Sequence, residues 1–493
     1  MATLHTNGTP QAAWSRYPES LGAHLNAIRL FFDGYAARVD RWRKRNAGYH
    51  RAIASLVSFY IPAGARVLEI GSGSGDLLAQ ARPSRGVGID VSGEMVRLAS
   101  AKYPQLTFRQ MAAEELDLGG EQFDYIILSD LVGFLYDIRR VFEKLRPACH
   151  HRTRIIVHWY SRLWQPVFAL AERLGLKYPQ PILNWTTIED IANLLSLAGF
   201  DAIVTRRHIL LPKRVPLVSS WINRYVGRLP VLRHLCLTNW TVARPLGLPK
   251  PDKEPAVSVI CPCRNEAGTI QQIVDRLPQM GSHTELVFVE GHSRDDTLAE
   301  CQRVAAATQD KDIKVFVQEG RGKGDAVRLG FARASGDIVM ILDADLSVDA
   351  EDLEQFYRAL ITEKGDFING CRLVYATDPR AMRFLNLLGN KLFAFLLSRL
   401  IGQNLRDSLC GTKALWRATY EQIAAGRSYF GALDPFGDFD LLFGAAKLNL
   451  KIIEIPLRYK PRVYGATNIS RFSDALLLFR MSARAARKLF FIG

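Results

Sequence analysis

Glu69-Ile70-Gly71-Ser72-Gly73-Ser74-Gly75 closes an apolar run that begins at Ala65, and far downstream Val339-Met340-Ile341-Leu342-Asp343-Ala344-Asp345 closes another. Each reads as a short buried strand that stops at reactive chemistry: a glycine turn in the first, a pair of carboxylates in the second. Two such strand ends, each inside its own alternating series, set the expectation for the whole chain.

Around the first, 65–70, 86–89, 125–128 and 154–157 read as buried strands, with helical patterns such as 93–102 and 137–145 between them. Residues 201–210 and 237–243 read as two further strands, possible partners in an antiparallel finish, and 21–60 as helical. Around the second, 257–261, 285–290, 314–318, 338–342 and 367–370 read as strands with helices between. Alternation of this kind implies a largely parallel sheet covered on both faces. The expected class is α/β, two Rossmann-like domains in series. The proline-rich stretch 244–255 separates them, because proline stiffens a chain that has no amphipathic face to bury. The expected layout is 1–243, linker 244–255, 256–473, and a basic amphipathic helix 474–493.

A chain of 493 residues is too long for one core. The first twenty residues lack the basic, apolar and small-residue sequence of a secretory signal. Seven scattered cysteines fit neither zinc nor redox spacing, so buried or free thiols in a reducing cytoplasm are expected. The net charge of +15 calls for an anionic partner. No nucleic-acid-binding pattern accompanies it, which leaves a membrane surface or a phosphate-rich substrate. No apolar run reaches the ~18 residues needed to span a bilayer. The segment 212–236, with Trp221, Tyr225 and several arginines, has no role assigned by pattern.

Glycine at 71, 73 and 75 lets a ligand approach the main chain, and the helix that follows offers free N–H groups. The spacing is G-x-G-x-G, with Asp76 where a dinucleotide fingerprint would place glycine. Asp90 closes the next strand and suits a pair of ribose hydroxyls. Glu69 through Gly75, Asp90, Glu114 and the strand before Asp130 resemble the successive motifs of class I S-adenosylmethionine-dependent methyltransferases. The resemblance implies S-adenosyl-L-methionine as cofactor, with Glu69 and Gly71 at its methionine end, Asp90 at the ribose and Glu114 beside the adenine. Transfer to oxygen asks for a general base. His158 is the first candidate and Asp130 the second, against the reading of a structural histidine or of a domain that keeps the fold without catalysis.

Asp343 and Asp345 are two apart on a strand and so point the same way. Together they suit Mg²⁺ or Mn²⁺ bridging a diphosphate. Before them come Arg264-Asn265-Glu266, then Glu290 followed by Gly291-His292-Ser293-Arg294-Asp295-Asp296, then Gly320-Arg321-Gly322-Lys323-Gly324-Asp325. This ordered set resembles family-2 glycosyltransferases of GT-A fold, of the dolichyl- or polyprenyl-phosphate mannosyl/glucosyltransferase branch. The resemblance implies a nucleotide-sugar donor held by Asn265, Glu266, Glu290, Lys323, Asp343, Arg372 and Arg462, and a metal on Asp343 and Asp345. Glu290 stands where aspartate is usual, leaving uridine and guanosine both open. Asp407, in Asp407-Ser408-Leu409-Cys410-Gly411, lies near the acceptor by the same resemblance, and Asp438 and Asp440 face the active site. The closing phosphate loop is expected at 458–470. No Q-x-x-R-W pattern of processive synthases is present, which favours transfer of a single sugar.

A polyprenyl phosphate is ionised at neutral pH and needs no strong base, whereas a sugar hydroxyl would give its proton to Asp407, Asp438 or Asp440. Both acceptors remain open at this level. Two helical stripes suit a lipid surface: Met382, Leu385, Leu388, Leu392, Leu396 and Leu400, and in the tail Leu478, Met481, Ala485, Leu489 and Ile492 opposite Arg480, Arg484, Arg487 and Lys488. The alternative for each is core packing. The expectation is a bifunctional enzyme, cytoplasmic and peripheral to the membrane's cytoplasmic face, with the N-terminal half as a docking scaffold the non-catalytic rival.

Overall fold

The computed structural model describes residues 20–181, 184–213, 215–249, 253–375, 384–430, 437–464 and 471–491. The chain divides into two compact units, 1–248 with 491–493, and 249–490. Within the N-terminal unit, seven strands form one sheet: β1 Arg66–Ile70, β2 Arg85–Asp90, β3 Thr107–Gln110, β4 Phe123–Ser129, β5 Cys149–Tyr160, β6 Phe200–His208 and β7 Thr238–Pro245. Their order is β3-β2-β1-β4-β5-β7-β6, parallel except for β7, which runs against both β5 and β6. The antiparallel finish is thus present, and β3, an edge strand with no fully buried residue, is the element that pattern missed. Because β7 continues through Pro245, Arg244 belongs to a strand and not to a linker. It is buried and donates from Nε to Asp201 at 3.2 Å.

Val67, Leu68, Ile70, Ile126, Ile127 and Leu128 are fully buried in the central pair β1 and β4. Each such side chain stabilises the fold by about 1.5–3 kcal/mol. Strand order reverses direction at β1, and a crevice opens at the carboxyl ends of β1 and β4, the place where open α/β sheets bind ligands.

The C-terminal unit repeats the principle with β8 Val257–Cys263, β9 Thr284–Glu290, β10 Asp312–Val317, β11 Ile338–Ile341, β12 Phe367–Cys371, β13 Lys413–Trp416 and β14 Ile452–Pro456. The order is β10-β9-β8-β11-β13-β12-β14, with β13 antiparallel to both neighbours. Its switch point lies between β8 and β11. All seven cysteines of the chain are buried free thiols.

The tail corrects an expectation. Helix Arg471–Ala485 runs on into a π-helical turn, Ala486–Phe490. Leu478, Met481, Ala485 and Leu489 are buried, while Arg480, Arg484 and Arg487 face solvent. Its apolar stripe packs inward, towards helix Phe384–Ile401. Ile492 and Met382 lie outside the described residues. In helix Phe384–Ile401 the inward face is Asn390, Ala394, Leu397, Leu400 and Ile401, and Leu388, Leu392 and Phe395 are exposed. Asn390 therefore points inward. Among the described residues, no helix is long and apolar enough to cross a membrane.

Candidate functional sites

In the N-terminal unit, a cavity of about 610 Å³ sits on the carboxyl ends of β1, β2 and β4. Glu69, Gly71, Gly73, Asp90, Glu114 and Asp130 line it, and Phe32, Tyr35, Arg43 and Tyr49 come from the helices before β1. Those helices gave no sequence signal of a site role. The three glycines are not equivalent, although all have positive φ. A Cβ on Gly71 would meet Leu131 at 2.8 Å and one on Gly75 would meet Phe108 at 2.6 Å, so these two serve packing. A Cβ on Gly73 would meet nothing within 4 Å, and Gly73 borders the cavity.

The acids are set by the backbone. Asp90 accepts from Gly73 N–H at 2.8 Å and Ser92 N–H at 2.9 Å. Burial raises its carboxyl to about 6 despite those bonds. Glu69 accepts from Leu78 N–H at 3.0 Å, and burial pushes it up to about 8. Glu114 accepts from Tyr136 N–H at 3.0 Å, so its carboxylate braces the loop after β4. Ser72 Oγ, on the cavity wall, is buried without a hydrogen-bond partner among the described residues. A cavity of this size with buried acids, an orphaned hydroxyl and an open glycine fits a compact, cationic, hydroxyl-bearing cofactor.

Asp130 holds φ +54, a strained conformation for a non-glycine residue. Its carboxylate accepts from Tyr49 Oη at 2.7 Å and lies 3.3 Å from His158 Nδ1. Burial raises the Asp130 carboxyl and lowers the His158 imidazole. His158 is fully buried and does not line the cavity, so it stands behind Asp130. Of the two base candidates, Asp130 is the one with access, because strand alternation turns His158 inward.

In the C-terminal unit, Asp343 pairs with Lys323 at 2.5 Å and Asp345 with Arg462 at 2.9 Å. The other arm of Arg462 reaches Glu266 at 2.8 Å, so one guanidinium clasps carboxylates from the ends of β8 and β11. Burial raises Glu266 to about 7 in spite of Arg462, and its Oε2 is buried with no partner among the described residues. For Asp343, dehydration would raise the carboxyl, but Lys323 holds it below its ordinary value. Leu346 has φ +51, and Ser347 N–H closes onto Asp345 Oδ1 at 3.0 Å, which fixes the carboxylate's direction. Lys460 N–H in turn donates to the Ser347 carbonyl at 2.9 Å, seating 460–463 over the pair. Residues 465–470 of the expected phosphate loop lie outside the described residues.

Gly411 is where the main chain must approach closely. A Cβ there would sit 2.2 Å from both Asp343 Oδ2 and Lys323 Nζ. Beside it Lys413, fully buried, donates to Asp438 at 2.8 Å and to the Cys410 carbonyl. A lysine amid the apolar residues of β13 was the available signal for this pair. Asp407 accepts from Arg372 Nε at 2.8 Å, Arg372 Nη2 at 3.0 Å, Arg372 N–H at 3.0 Å, Asn390 at 2.8 Å and Leu409 N–H at 3.1 Å. Burial would raise its carboxyl, but Arg372 and these donors bring it to about 2. Asp440 accepts from Arg427 Nε at 2.5 Å. Asn265, at φ +57, accepts from Arg294 N–H at 2.7 Å, and Glu290 from Ser293 N–H at 2.5 Å, so both pin the turn after β9.

Asp343 and Asp345 supply hard oxygen donors. No cluster of three or more His, Cys, Asp or Glu suited to a metal occurs among the described residues. Two carboxylates completed by water and phosphate oxygens suffice for Mg²⁺, so the donor set fits a divalent cation shared with a diphosphate.

A family profile described as Glycosyl transferase family 2 matches residues 258–424, and one described as Methyltransferase domain matches 67–151. The chain is 30% identical over 251 residues to Glycosyltransferase AglJ of Haloferax volcanii, covering 50% of this chain and 77% of that protein. It is 27% identical over 165 residues to an undecaprenyl-phosphate 4-deoxy-4-formamido-L-arabinose transferase of Shewanella sediminis, with coverage of 33% and 48%. To the dolichol-phosphate mannosyltransferase of Saccharomyces cerevisiae it is 33% identical over 109 residues, with coverage of 21% and 40%. The chain thus spans less than half the length of each of these last two. Among solved structures, a SAM-dependent methyltransferase of Thermotoga maritima aligns at 15% identity and TM-score 0.36, over 44% of this chain and 99% of that one. Glucosyl-3-phosphoglycerate synthase of Mycobacterium tuberculosis aligns at 21% identity and TM-score 0.35, over 48% and 80%.

Proposed function

Since the chain belongs to glycosyltransferase family 2 and carries a methyltransferase domain ahead of it, we propose that its C-terminal unit moves one hexose from a nucleotide-diphosphate sugar to a polyprenyl phosphate. The observation that carries the choice of acceptor is the state of the candidate bases. Asp407 is saturated by Arg372 and Asn390, Asp438 is tied to Lys413, and Asp440 to Arg427. None is poised to take a proton from a sugar hydroxyl, whereas a phosphate monoester arrives ionised. The undecaprenyl-phosphate and dolichol-phosphate transferases to which the chain is similar agree with a lipid phosphate.

In this reading a phosphate oxygen attacks the anomeric carbon as the bond to the nucleoside diphosphate breaks, with inversion. A cation on Asp343 and Asp345 would neutralise charge on the departing diphosphate. Lys323 and Arg462, released from their carboxylates, turn to its oxygens, and Asn265, Glu266 and Glu290 frame the nucleoside end. Arg372, held flat by Asp407, orients the acceptor phosphate. Positioning and electrostatics do the work. The N-terminal unit transfers a methyl group from S-adenosylmethionine, with Asp130 bordering the acceptor position.

A donor screen with Mg²⁺ or Mn²⁺, reading uridine or guanosine diphosphate release and label in organic-extractable lipid, tests the first activity. Label confined to water-soluble glycan, or release unchanged in Asp345→Ala, would refute it. Calorimetry with S-adenosylmethionine tests the second: binding unaffected by Asp90→Ala would leave the N-terminal unit a scaffold.

A further inference from the structure

The connection between β6 and β7, residues 209–237, is the part of the N-terminal unit that neither the cofactor cavity nor the fold explains. From Ala202 to Pro251 the chain has no Asp or Glu and nine Lys or Arg, of which Arg244 is buried against Asp201. Within that run, large apolar side chains face water: Leu217 is 89% exposed, Val231 77% and Trp221 58%. Leu217 also holds φ +61, and Val218 N–H closes on the Pro216 carbonyl at 2.7 Å, a tight γ-turn of the rare, strained hand. A leucine at the tip of a strained turn, almost wholly in water, has no rationale in the isolated unit.

A second apolar element lies beside it. Trp164 Nε1 donates to the Leu235 carbonyl at 2.9 Å, which places helix Gln165–Arg173 next to the connection. No residue of that helix is buried, and Leu170 and Leu174 are 56% and 64% exposed. Both elements leave the sheet at the carboxyl ends of β5 and β6, since Tyr160 of β5 pairs with Thr238 of β7 and His208 of β6 with the same residue. That is the edge on which the cofactor cavity opens.

We propose that this edge is a membrane-docking surface, with Leu217, Trp221 and Val231 inserting among acyl chains and the acid-free basic segment meeting anionic headgroups. The occupant is a lipid bilayer rather than a protein, because these exposed apolar side chains stand in a segment that carries cations and no acid. A tryptophan at such a place suits the headgroup boundary, and a basic segment without acids gains from anionic lipid. The consequence deepens the functional reading and rests on it: a methyl acceptor reaches Asp130 from the membrane side, so it is itself lipid-borne.

The test is co-sedimentation of the full chain with phosphatidylcholine vesicles, with and without phosphatidylglycerol. Binding should require the anionic lipid and weaken with salt. The pair Leu217→Asn and Val231→Ser, which asparagine's tolerance of positive φ makes compatible with the fold, should lower the partition coefficient at least about tenfold. An unchanged melting curve shows that the loss is not unfolding. Binding equal to the parent's, binding indifferent to phosphatidylglycerol, or lipid-free self-association that the pair abolishes would each overturn the proposal. Sugar transfer to detergent-dispersed acceptor should be unaffected by the pair. If the parent docks on vesicles but transfers no sugar, the glycosyltransferase reading has failed and the docking surface stands.

Discussion

Replacing Glu69 by glutamine tests the electrostatics of the cofactor cavity most directly. The Glu69 carboxylate accepts from Leu78 N–H at 3.0 Å, and a glutamine carbonyl oxygen can accept the same bond. What changes is the charge. Burial raises the carboxyl from 4.5 to about 8. Between those values the folded protein keeps a proton that the unfolded chain has lost, so stability falls as pH climbs through the window. At about 1.4 kcal/mol per pH unit, the wild type at pH 7 has lost roughly 3 kcal/mol relative to pH 4.5. Glu69→Gln should recover most of that, a rise of about 5–10 °C in melting temperature at pH 7 and little at pH 5. Seven of the eight tryptophans precede residue 249, so fluorescence melts at pH 5, 7 and 8 report on this unit. The variant should also bind S-adenosylmethionine more weakly, because a cofactor ammonium gains from an ionised partner. Calorimetry in buffers of different ionisation heat should then show the wild type releasing a proton on binding at pH 7 and the variant releasing none. A variant less stable than wild type at pH 7, or melting curves that shift in parallel with pH, would refute the reasoning.

Asp407→Asn strips the buried Arg372 of its counter-charge, and urea unfolding should show a loss of about 3–5 kcal/mol. Because the Asp407 carboxyl is held at about 2 rather than 3.8, the wild type should lose stability as pH falls from 4 towards 2, and the variant should lack that component. Gly411→Ala puts a Cβ against Asp343 and Lys323, whose side-chain ends can move. Sugar transfer should drop at least about tenfold while stability changes by less than about 1 kcal/mol, read from turnover and melting in parallel. Arg462→Ala frees Asp345 and Glu266 from the clasp. The divalent-cation concentration for half-maximal transfer should fall while the donor KM rises, which steady-state titrations separate.

What the sequence made legible is local. Short continuous apolar runs marked β1, β4, β8 and β11, and the residue types at their carboxyl ends marked both sites. The spacing puts Asp343 and Asp345 on one strand, whereas β11 ends at Ile341 and both stand in the turn beyond it, each answered by a different cation, Lys323 and Arg462. What was illegible is pairing at a distance. Asp407 was read as an acceptor-side acid, but Arg372 and Asn390 reach it from β12 and helix Phe384–Ile401 and occupy its oxygens. His158 was read as a base from its place at a strand end; its side of the strand and the depth of Tyr49 and Asp130 around it are tertiary facts. Glu266 and Arg462 lie far apart in the chain and meet because the segment after β14, tied through Lys460 N–H to Ser347, lies over the adjacent ends of β8 and β11.

The membrane question shows the same limit from both sides. Helical spacing singled out the tail, with apolar residues on one face and arginines on the other, and that face is buried against the unit's own helix. Periodicity identifies a face but carries no information about what covers it. The 209–237 connection holds only the seven-residue helix Val218–Arg224 and two 3-10 turns, too short for pattern to give them a role, yet it carries the most exposed leucine described and lies in a segment free of acids. An amphipathic helix solves its own burial problem when a neighbour is available. A connection of one short helix and two tight turns leaves its protruding apolar side chains in water, and that exposure is relieved only by something outside the unit. For that reason exposure in the 209–237 connection is stronger evidence of an external surface than amphipathicity in the tail helix.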